Sequence, residues 1–374
     1  MTRQKQNGQQ TPEVHLFFSF CPSGPGDRVL DLGWEGKFEG HGRDQDASEV
    51  CFVSSDIRSI KLCKKGLGTN GNHRAFLSAA PADELNPPFD LVRYRPAQRA
   101  AKEQVFEWID QGFDLLKLGG CFFLAGRKDR GVESYAKRLK AVFGRVDKVG
   151  QAGRTRIYCA RKSQPSPACD GVDTRYVFDI HDLSGGPYRF ETRAGVFSRD
   201  GLDPGTRFLI EQVPFAQYTR MLDLGCGCGA IGIVGAKQVP KGSVTLVDVD
   251  LRSIHCALKN LGFNGVDNAR VLVGDGFAPL EGEAYDLIVS NPPFHEGNAT
   301  GHDFIDGAAK HLVSEGDLWM VVMRAEPYRK RMEIQFEAVE EVGQRDGYTV
   351  LRAQFPRREK IGKIWEPDFG GDVQ

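Results

Sequence analysis

From about residue 219 to residue 324, short apolar runs alternate with segments whose apolar positions recur every three or four residues. TRMLDLGC, GSVTLVDVD, ARVLVGD, AYDLIVSN and GDLWMVVMR read as five buried strands, and stretches between them such as RSIHCALKNLGF read as helices. Nearly continuous apolar strands alternating with helices imply a mostly parallel sheet covered on both faces. FEAVEEVGQ followed by YTVLRAQF predicts an antiparallel hairpin closing that sheet.

The same pattern occurs earlier in the chain. VLDLGWEG from Val29 parallels MLDLGCGC from Met221, and VSSDIRSIKLCKKGLGTNG from Val53 parallels VDVDLRSIHCALKNLGFNG from Val247. FDLVRYRP from Phe89 parallels YDLIVSNPP from Tyr285, and FGRVDKVGQ from Phe143 parallels FEAVEEVGQ from Phe336. All four pairs keep their order at offsets of 192 to 196 residues, so one α/β domain has been duplicated. The copies differ where chemistry is at stake: Gly227, Gly229, Asp248 and Asn291 correspond to Glu35, Lys37, Ser54 and Arg95. The first copy is therefore expected to fold without catalysing. The reading divides the chain into a loose tail (1–13), a degenerate domain (14–162), a Pro/Ser-rich linker (163–172), a catalytic domain (173–361) and a second tail (362–374).

Composition narrows the setting. With 40% hydrophobic and 26% charged residues over 374 positions, each half can bury an ordinary core. No apolar run reaches the ~18–20 residues of a membrane span, and the polar N-terminus lacks a secretory pattern. Nine cysteines without a C-x-x-C pair point to a reducing compartment, so a soluble cytoplasmic protein is expected. Cys226 and Cys228 read as small side chains between glycines, and His302, Asp303 and His311 have no second cluster, so no metal is expected. Residues 1–162 carry 27 Lys and Arg against 19 Asp and Glu, a net +8, whereas the remainder is −9. That asymmetry suits nucleic acid on the basic side, although solvated surface charge gives the same count. Arg93, Arg95, Arg99, Arg127, Lys128 and Arg130 are the candidate phosphate contacts, and the cluster RREKIGK at 357–363 reads as a solvated end.

Asp223-Leu-Gly-Cys-Gly-Cys-Gly229 follows the first predicted strand of the second copy and opens a helix. Its glycines allow a tight turn and close approach of a ligand. Asp248, ending the next strand, is placed to accept from both hydroxyls of a ribose. Gly227 to Gly232 also satisfies G-x-G-x-x-G, which leaves a nicotinamide or flavin reading open. Two acids favour S-adenosylmethionine. Asp223 suits a ligand with a cationic amino-acid end, and Asp275 can accept from an adenine amino group while Gly276 offers a backbone N–H; a plain turn residue is the other reading of Asp275. The fourth strand runs into Asn291-Pro292-Pro293-Phe294-His295, a loop stiffened by two prolines. The Asn291 amide oxygen, with the Ser290 or Pro292 carbonyl, supplies two acceptors for an exocyclic amine, and Phe294 can stack on a planar ring. Holding both hydrogens of such an amine aims its lone pair at a methyl donor, and alignment then supplies most of the catalysis. His295 either relays the released proton or shapes the pocket wall.

VFSRDGLDPGTRFLIE from Val196, the glycine motif at 223–229, SNPPFH at 290–295 and GDLWMVVMRAEPY from Gly316 together resemble the RsmC-type 16S ribosomal RNA guanine-N2 methyltransferases. The resemblance is strong over about 187–361 and looser over the first copy. It implies two tandem Rossmann-like class I methyltransferase domains and transfer from S-adenosylmethionine to a guanine N2 of 16S rRNA. It further implies a cofactor pocket of Asp223, Gly225, Cys226, Gly227, Asp248, Val249, Asp275, Gly276 and Asn291. The target guanine would lie at Asn291, Pro292, Pro293 and Phe294, with His295 beside it. The partner implied is ribosomal RNA or the small subunit, for a chain expected to be a monomer. Methylation of 23S rRNA by a sibling two-copy family is the nearest alternative. Glutamine-N5 methylation of a protein fits less well, lacking NPPY, and a non-catalytic RNA-binding assembly factor is the alternative from a different class.

Overall fold

The computed structural model describes residues 17–33, 44–67, 71–97, 100–293 and 297–357. The chain divides into two compact units, Met1–Thr174 and Arg175–Gln374. In the first, strands β1 (Arg28–Leu32), β2 (Glu49–Ser54), β3 (His73–Leu77), β4 (Phe89–Tyr94), β5 (Leu116–Arg127), β6 (Asp147–Ala152) and β7 (Thr155–Arg161) form one sheet. Its order is β3-β2-β1-β4-β5-β7-β6. Helices α1 (Ile57–Gly66), α2 (Lys102–Leu115) and α3 (Val132–Phe143) accompany it.

The second unit opens with a separate hairpin, β8 (Arg175–Ile180) and β9 (Tyr188–Arg193), followed by helix α4 (Pro204–Gln212). Strands β10 (Arg220–Leu224), β11 (Ser243–Asp248), β12 (Ala269–Val273), β13 (Tyr285–Ser290), β14 (Leu312–Val322), β15 (Phe336–Arg345) and β16 (Tyr348–Pro356) follow. Their order, β12-β11-β10-β13-β14-β16-β15, repeats that of the first sheet position by position. In both, five strands pair in parallel, the next (β7 or β16) runs antiparallel to them, and the edge strand (β6 or β15) pairs antiparallel with that one and so shares the direction of the five. The duplication and the closing hairpin are thus features of the fold as well as of the sequence. The copies share even a helix cap: Asp56 accepts from the Arg58 N–H at 2.7 Å, and Asp250 from the Arg252 N–H at 2.8 Å.

Strands β10, β11, β13 and β14 bury their apolar runs, with Leu222, Leu246, Leu287, Ile288 and Val321 fully covered, whereas β12, also read as a buried strand, is an edge strand whose residues are half-buried or exposed. Helices α5 (Ala230–Gln238), α6 (Leu251–Phe263), α7 (Asn298–His311) and α8 (Ala325–Gln335) complete the second unit. Strand order reverses between β10 and β13, and open α/β sheets bind ligands at the carboxyl ends of strands flanking such a switch. The hairpin β8–β9 carries no signal that the apolar pattern revealed. Asn260 of α6 holds it, accepting from the Glu191 N–H at 2.7 Å and donating to the Glu191 carbonyl at 2.9 Å.

Two expectations for the first unit change. Arg93 is not a surface contact for RNA: it is 2% exposed and ion-paired at 2.7 Å to both Asp31 and Asp44. Asp31 is the counterpart of Asp223, and in the second unit the equivalent carboxylate is met by a helix N–H. Arg93 replaces that partner, while the Tyr94 ring lies where a Cβ on Gly33 would come within 2.7 Å. Own side chains thus fill the space beside the first copy's glycine. Removing one partner of a buried pair costs about 3–5 kcal/mol, so Arg93→Leu is expected to lower the first unit's unfolding free energy by that much, seen as a lower urea midpoint. An unchanged midpoint would show the pair to be idle. Residues 163–172, read as a linker, are pinned to the first unit: the Ala168 N–H donates to the Val142 carbonyl, and Arg138 to the Asp170 carbonyl. Glu35, Lys37, Arg99, the tails 1–13 and 362–374, and all but Arg357 of the 357–363 cluster lie outside the described residues.

Candidate active site

β10 ends in a glycine loop that enters α5. The Gly225 and Cys226 N–H groups donate to the Val247 carbonyl at 2.9 and 3.0 Å, tying the loop to β11. Gly227 has φ +55°, and a Cβ there would meet nothing within 4 Å, so the loop presents bare backbone to open space. A Cβ on Gly232 would sit 2.6 Å from Leu246, so this glycine lets α5 press directly onto β11. Cys226 and Cys228 are buried in the core, and burial pushes the Cys228 thiol up to about 12. Their thiols are packing groups, and Cys226 serves the turn through its backbone.

Asp223 is fully buried. One carboxylate oxygen accepts from the Gly232 N–H at 2.8 Å, and the other has no partner. Burial pushes this carboxyl up to about 7, against the pull of the Gly232 N–H and with a further push from Asp248. A buried acceptor without a partner fits a cationic ligand group, as the sequence suggests. The raised value also has a stability consequence. Between about pH 4 and 7 the native state holds a proton that the unfolded chain has released, so stability falls as pH rises through that window. The loss at pH 8 is about 4 kcal/mol at 1.36 kcal/mol per pH unit. Asp223→Asn, which keeps an acceptor for Gly232, is expected to be more stable than the parent at pH 8 and equal to it at pH 4. Urea unfolding at the two values checks this, and an equal difference at both would refute it.

Asp248 braces the loop from the next strand. Its two oxygens accept from the Gly227 and Asp250 N–H groups, each at 2.9 Å. Val249 is half-buried beside it, and the Asp248 carbonyl accepts from the Gly274 N–H at 2.9 Å, which brings the end of β12 alongside. There Asp275 is exposed and Gly276 turns with φ +56°. The Phe304 ring of α7 stands 3.5 Å from the Cβ position of Gly225 and 3.9 Å from that of Gly276, walling both loops.

The fourth strand brings the sharpest feature. Ser290 is buried and donates to the Leu224 carbonyl at 2.7 Å, locking the end of β13 to that of β10. In the next residue, Asn291, both amide hydrogens are committed: Nδ2 donates to Asp203 Oδ2 at 3.0 Å and to Thr206 Oγ1 at 2.8 Å. A carboxylate can only accept, so this network fixes which end of the amide is nitrogen. The Asn291 oxygen is left buried with no partner. Asp203 is itself held, capping α4 through the Thr206 N–H at 2.8 Å and accepting from the Tyr348 hydroxyl at 3.3 Å. Pro292 is buried and Pro293 half-buried, whereas Phe294 and His295 lie outside the described residues.

Known proteins now bear on the site. The family model "Methyltransferase small domain" matches residues 187–352. Ribosomal RNA small subunit methyltransferase C of Escherichia coli is 31% identical over 296 residues, spanning 78% of this chain and 83% of that protein. The same enzyme of Shigella dysenteriae matches at the same level. The chain belongs to the ribosomal RNA small subunit methyltransferase C family. A solved T. thermophilus structure, described as a 16S rRNA N2 G1207 methyltransferase (RsmC) in complex with AdoMet and guanosine, aligns with a TM-score of 0.79. It is 26% identical and covers 93% of each chain.

Within this methyltransferase fold, Asp223, Gly225, Cys226, Gly227, Asp248, Val249, Asp275, Gly276, Asn291, Pro292 and Pro293 all fall at the carboxyl ends of β10–β13. Sequence reasoning missed Asp203, Thr206 and Tyr348, which orient Asn291, and Phe304. Asp203-Pro204 carries a helix-start signal, an acidic cap before proline, but nothing in it names Asn291 as partner. Among the described residues no three His, Cys, Asp or Glu gather as a metal site, and no helix is long and apolar enough to cross a membrane.

Proposed function

We propose that the second unit methylates the exocyclic N2 of a guanine in small-subunit ribosomal RNA, with S-adenosylmethionine as donor. The buried, unpartnered oxygen of Asn291 is the observation that carries this reading. Such an oxygen costs about 1–3 kcal/mol to leave unsatisfied, and a donor N–H from a substrate removes the cost. The amide cannot rotate to hide it, because its nitrogen is already engaged by Asp203 and Thr206.

The pocket fits the cofactor on the same kind of evidence. Asp223 offers a buried free acceptor toward a cationic amino-acid end, Gly227 leaves its flank open, and Asp248 offers a carboxylate, held by the Gly227 and Asp250 N–H groups, to a ribose. Asp275 and Gly276 stand at the adjacent strand end for the adenine. The cofactor supplies an electrophilic methyl on a sulfonium. The chain's own contribution is alignment: Asn291 accepts one N2 hydrogen, a loop carbonyl accepts the other, and the amine lone pair faces the donor. N2 would exchange one N–H for one N–CH₃, the proton leaving to solvent and the cofactor's sulfur keeping the electron pair of the broken S–CH₃ bond as a neutral thioether.

Incubation with radiolabelled cofactor and 16S RNA, 23S RNA or small subunits, followed by nucleoside digestion, tests the proposal. Label in N2-methylguanosine from the small-subunit RNA is expected. Label in another nucleoside, or only from 23S RNA, overturns it. The first unit, with Arg93 and Tyr94 against its own glycine loop, serves in this reading as an RNA-binding, non-catalytic domain of a monomeric enzyme.

A further inference from the structure

The excess positive charge of the first unit is local. Residues 127–162, from the end of β5 through α3, β6 and β7, hold twelve Lys and Arg against three Asp and Glu. This net +9 exceeds the whole +8 of residues 1–162. The duplication supplies an internal control. Cys121 pairs with Arg161 as Asp317 pairs with Gln354, so residues 323–355 are the equivalent elements of the second unit. They hold six basic and six acidic residues. One copy of the same architecture is neutral and the other strongly cationic, so the fold does not require the charge.

The three acids within 127–162 are all engaged. Asp129 accepts from Arg127 at 3.1 Å and from Arg154 at 3.0 Å, Asp147 pairs with Arg145 at 3.1 Å, and Glu133 accepts from the Tyr158 hydroxyl at 2.8 Å. Lys128, Arg130, Lys137 and Lys140 are exposed and, among the described residues, outside every ion pair of the unit. Lys128 and Arg130 sit on the turn 128–130, while Lys137 and Lys140, three apart on α3, share a face. The turn is a firm platform. Asp129 bridges it to Arg154, and the Lys128 N–H donates to the Arg154 carbonyl at 2.8 Å. Along α3 the charges reach Lys140, about 12 Å from the helix start at 1.5 Å per residue. Val149 is the one exposed large hydrophobic residue of this stretch among the described residues, so the face lacks the apolar centre of a protein–protein interface. Unpaired cations spread along a rigid face without apolar cover match a phosphodiester backbone.

We propose that Lys128, Arg130, Lys137 and Lys140 form a phosphate-gripping stripe for the RNA that the second unit modifies. The choice of RNA as partner rests on the function proposed above. The test is the variant K128Q/R130Q/K137Q/K140Q in the full chain, binding fluorescent 16S RNA from 50 to 300 mM KCl. Affinity near 100 mM is expected to fall at least about tenfold, and the slope of log affinity against log salt to become shallower by about two to four. The K137Q/K140Q pair should produce about half that slope change, while S-adenosylmethionine affinity stays at the parent value in both. A control, K241Q/K310Q on the second unit, should move neither quantity. Unchanged RNA affinity and slope in the fourfold variant overturn the proposal. So does RNA binding that persists while binding of a polyglutamate probe is lost, which assigns the stripe to an acidic protein. If the salt-dependent grip depends on the stripe but no N2-methylguanosine forms, the stripe stands and the catalytic reading falls.

Discussion

Asn291→Ala is expected to slow methyl transfer about 10²–10³-fold, the range seen when one preorganised polar group at a reacting centre is removed. The S-adenosylmethionine dissociation constant should change far less, because in the proposed reaction the Asn291 oxygen accepts from the target amine, while Asp223 and Asp248 meet the cofactor. Single-turnover rates with saturating cofactor and RNA, together with cofactor titration, check both halves. The alanine variant also frees Asp203 and Thr206 from their donor, so a companion is needed to separate alignment from local collapse. Asp203→Ala keeps the Asn291 oxygen but removes one of the two groups that hold the amide, and should cost only part of the rate. Parent-like turnover in the Asn291 variant would end the acceptor role.

Asp248→Ala should act on the other substrate. Its carboxylate accepts from Gly227 and Asp250 and, in the proposed complex, from the two ribose hydroxyls. Charge-assisted hydrogen bonds contribute about 1.5–3 kcal/mol each, so losing two weakens cofactor binding by about 10²-fold or more. Isothermal titration reads this directly, and the rate at saturating cofactor should change far less. Asp248→Asn keeps one acceptor and should fall between. Unchanged affinity in the alanine variant would remove Asp248 from the ribose site.

The parts of this account legible in the sequence are those set by local chemistry. The runs of β10, β11, β13 and β14 are apolar because both faces are covered, and the glycines at 225–229 mark a turn that other residues cannot make. Asp248 and Asn291 are legible because strand ends in a parallel sheet share one edge. What stayed hidden depends on distant pairs. Asp203 meets Asn291 across 88 residues, and Tyr348 reaches Asp203 across 145. No periodicity encodes such a meeting. Arg93 was misread for the same reason: an arginine in an apolar strand looks like surface charge until Asp31 and Asp44 appear beside it. The hairpin β8–β9 is hard to read because β8 alternates exposed and half-buried residues and only β9 buries every second one, and its hold comes from Asn260.

A structure of the protein with S-adenosylhomocysteine and guanosine tests the central claim most directly. The guanine N2 should lie within about 3.2 Å of the Asn291 amide oxygen, with the amide nitrogen still on Asp203 and Thr206. A guanosine seated elsewhere, or an amide turned so that its nitrogen faces the base, would contradict it.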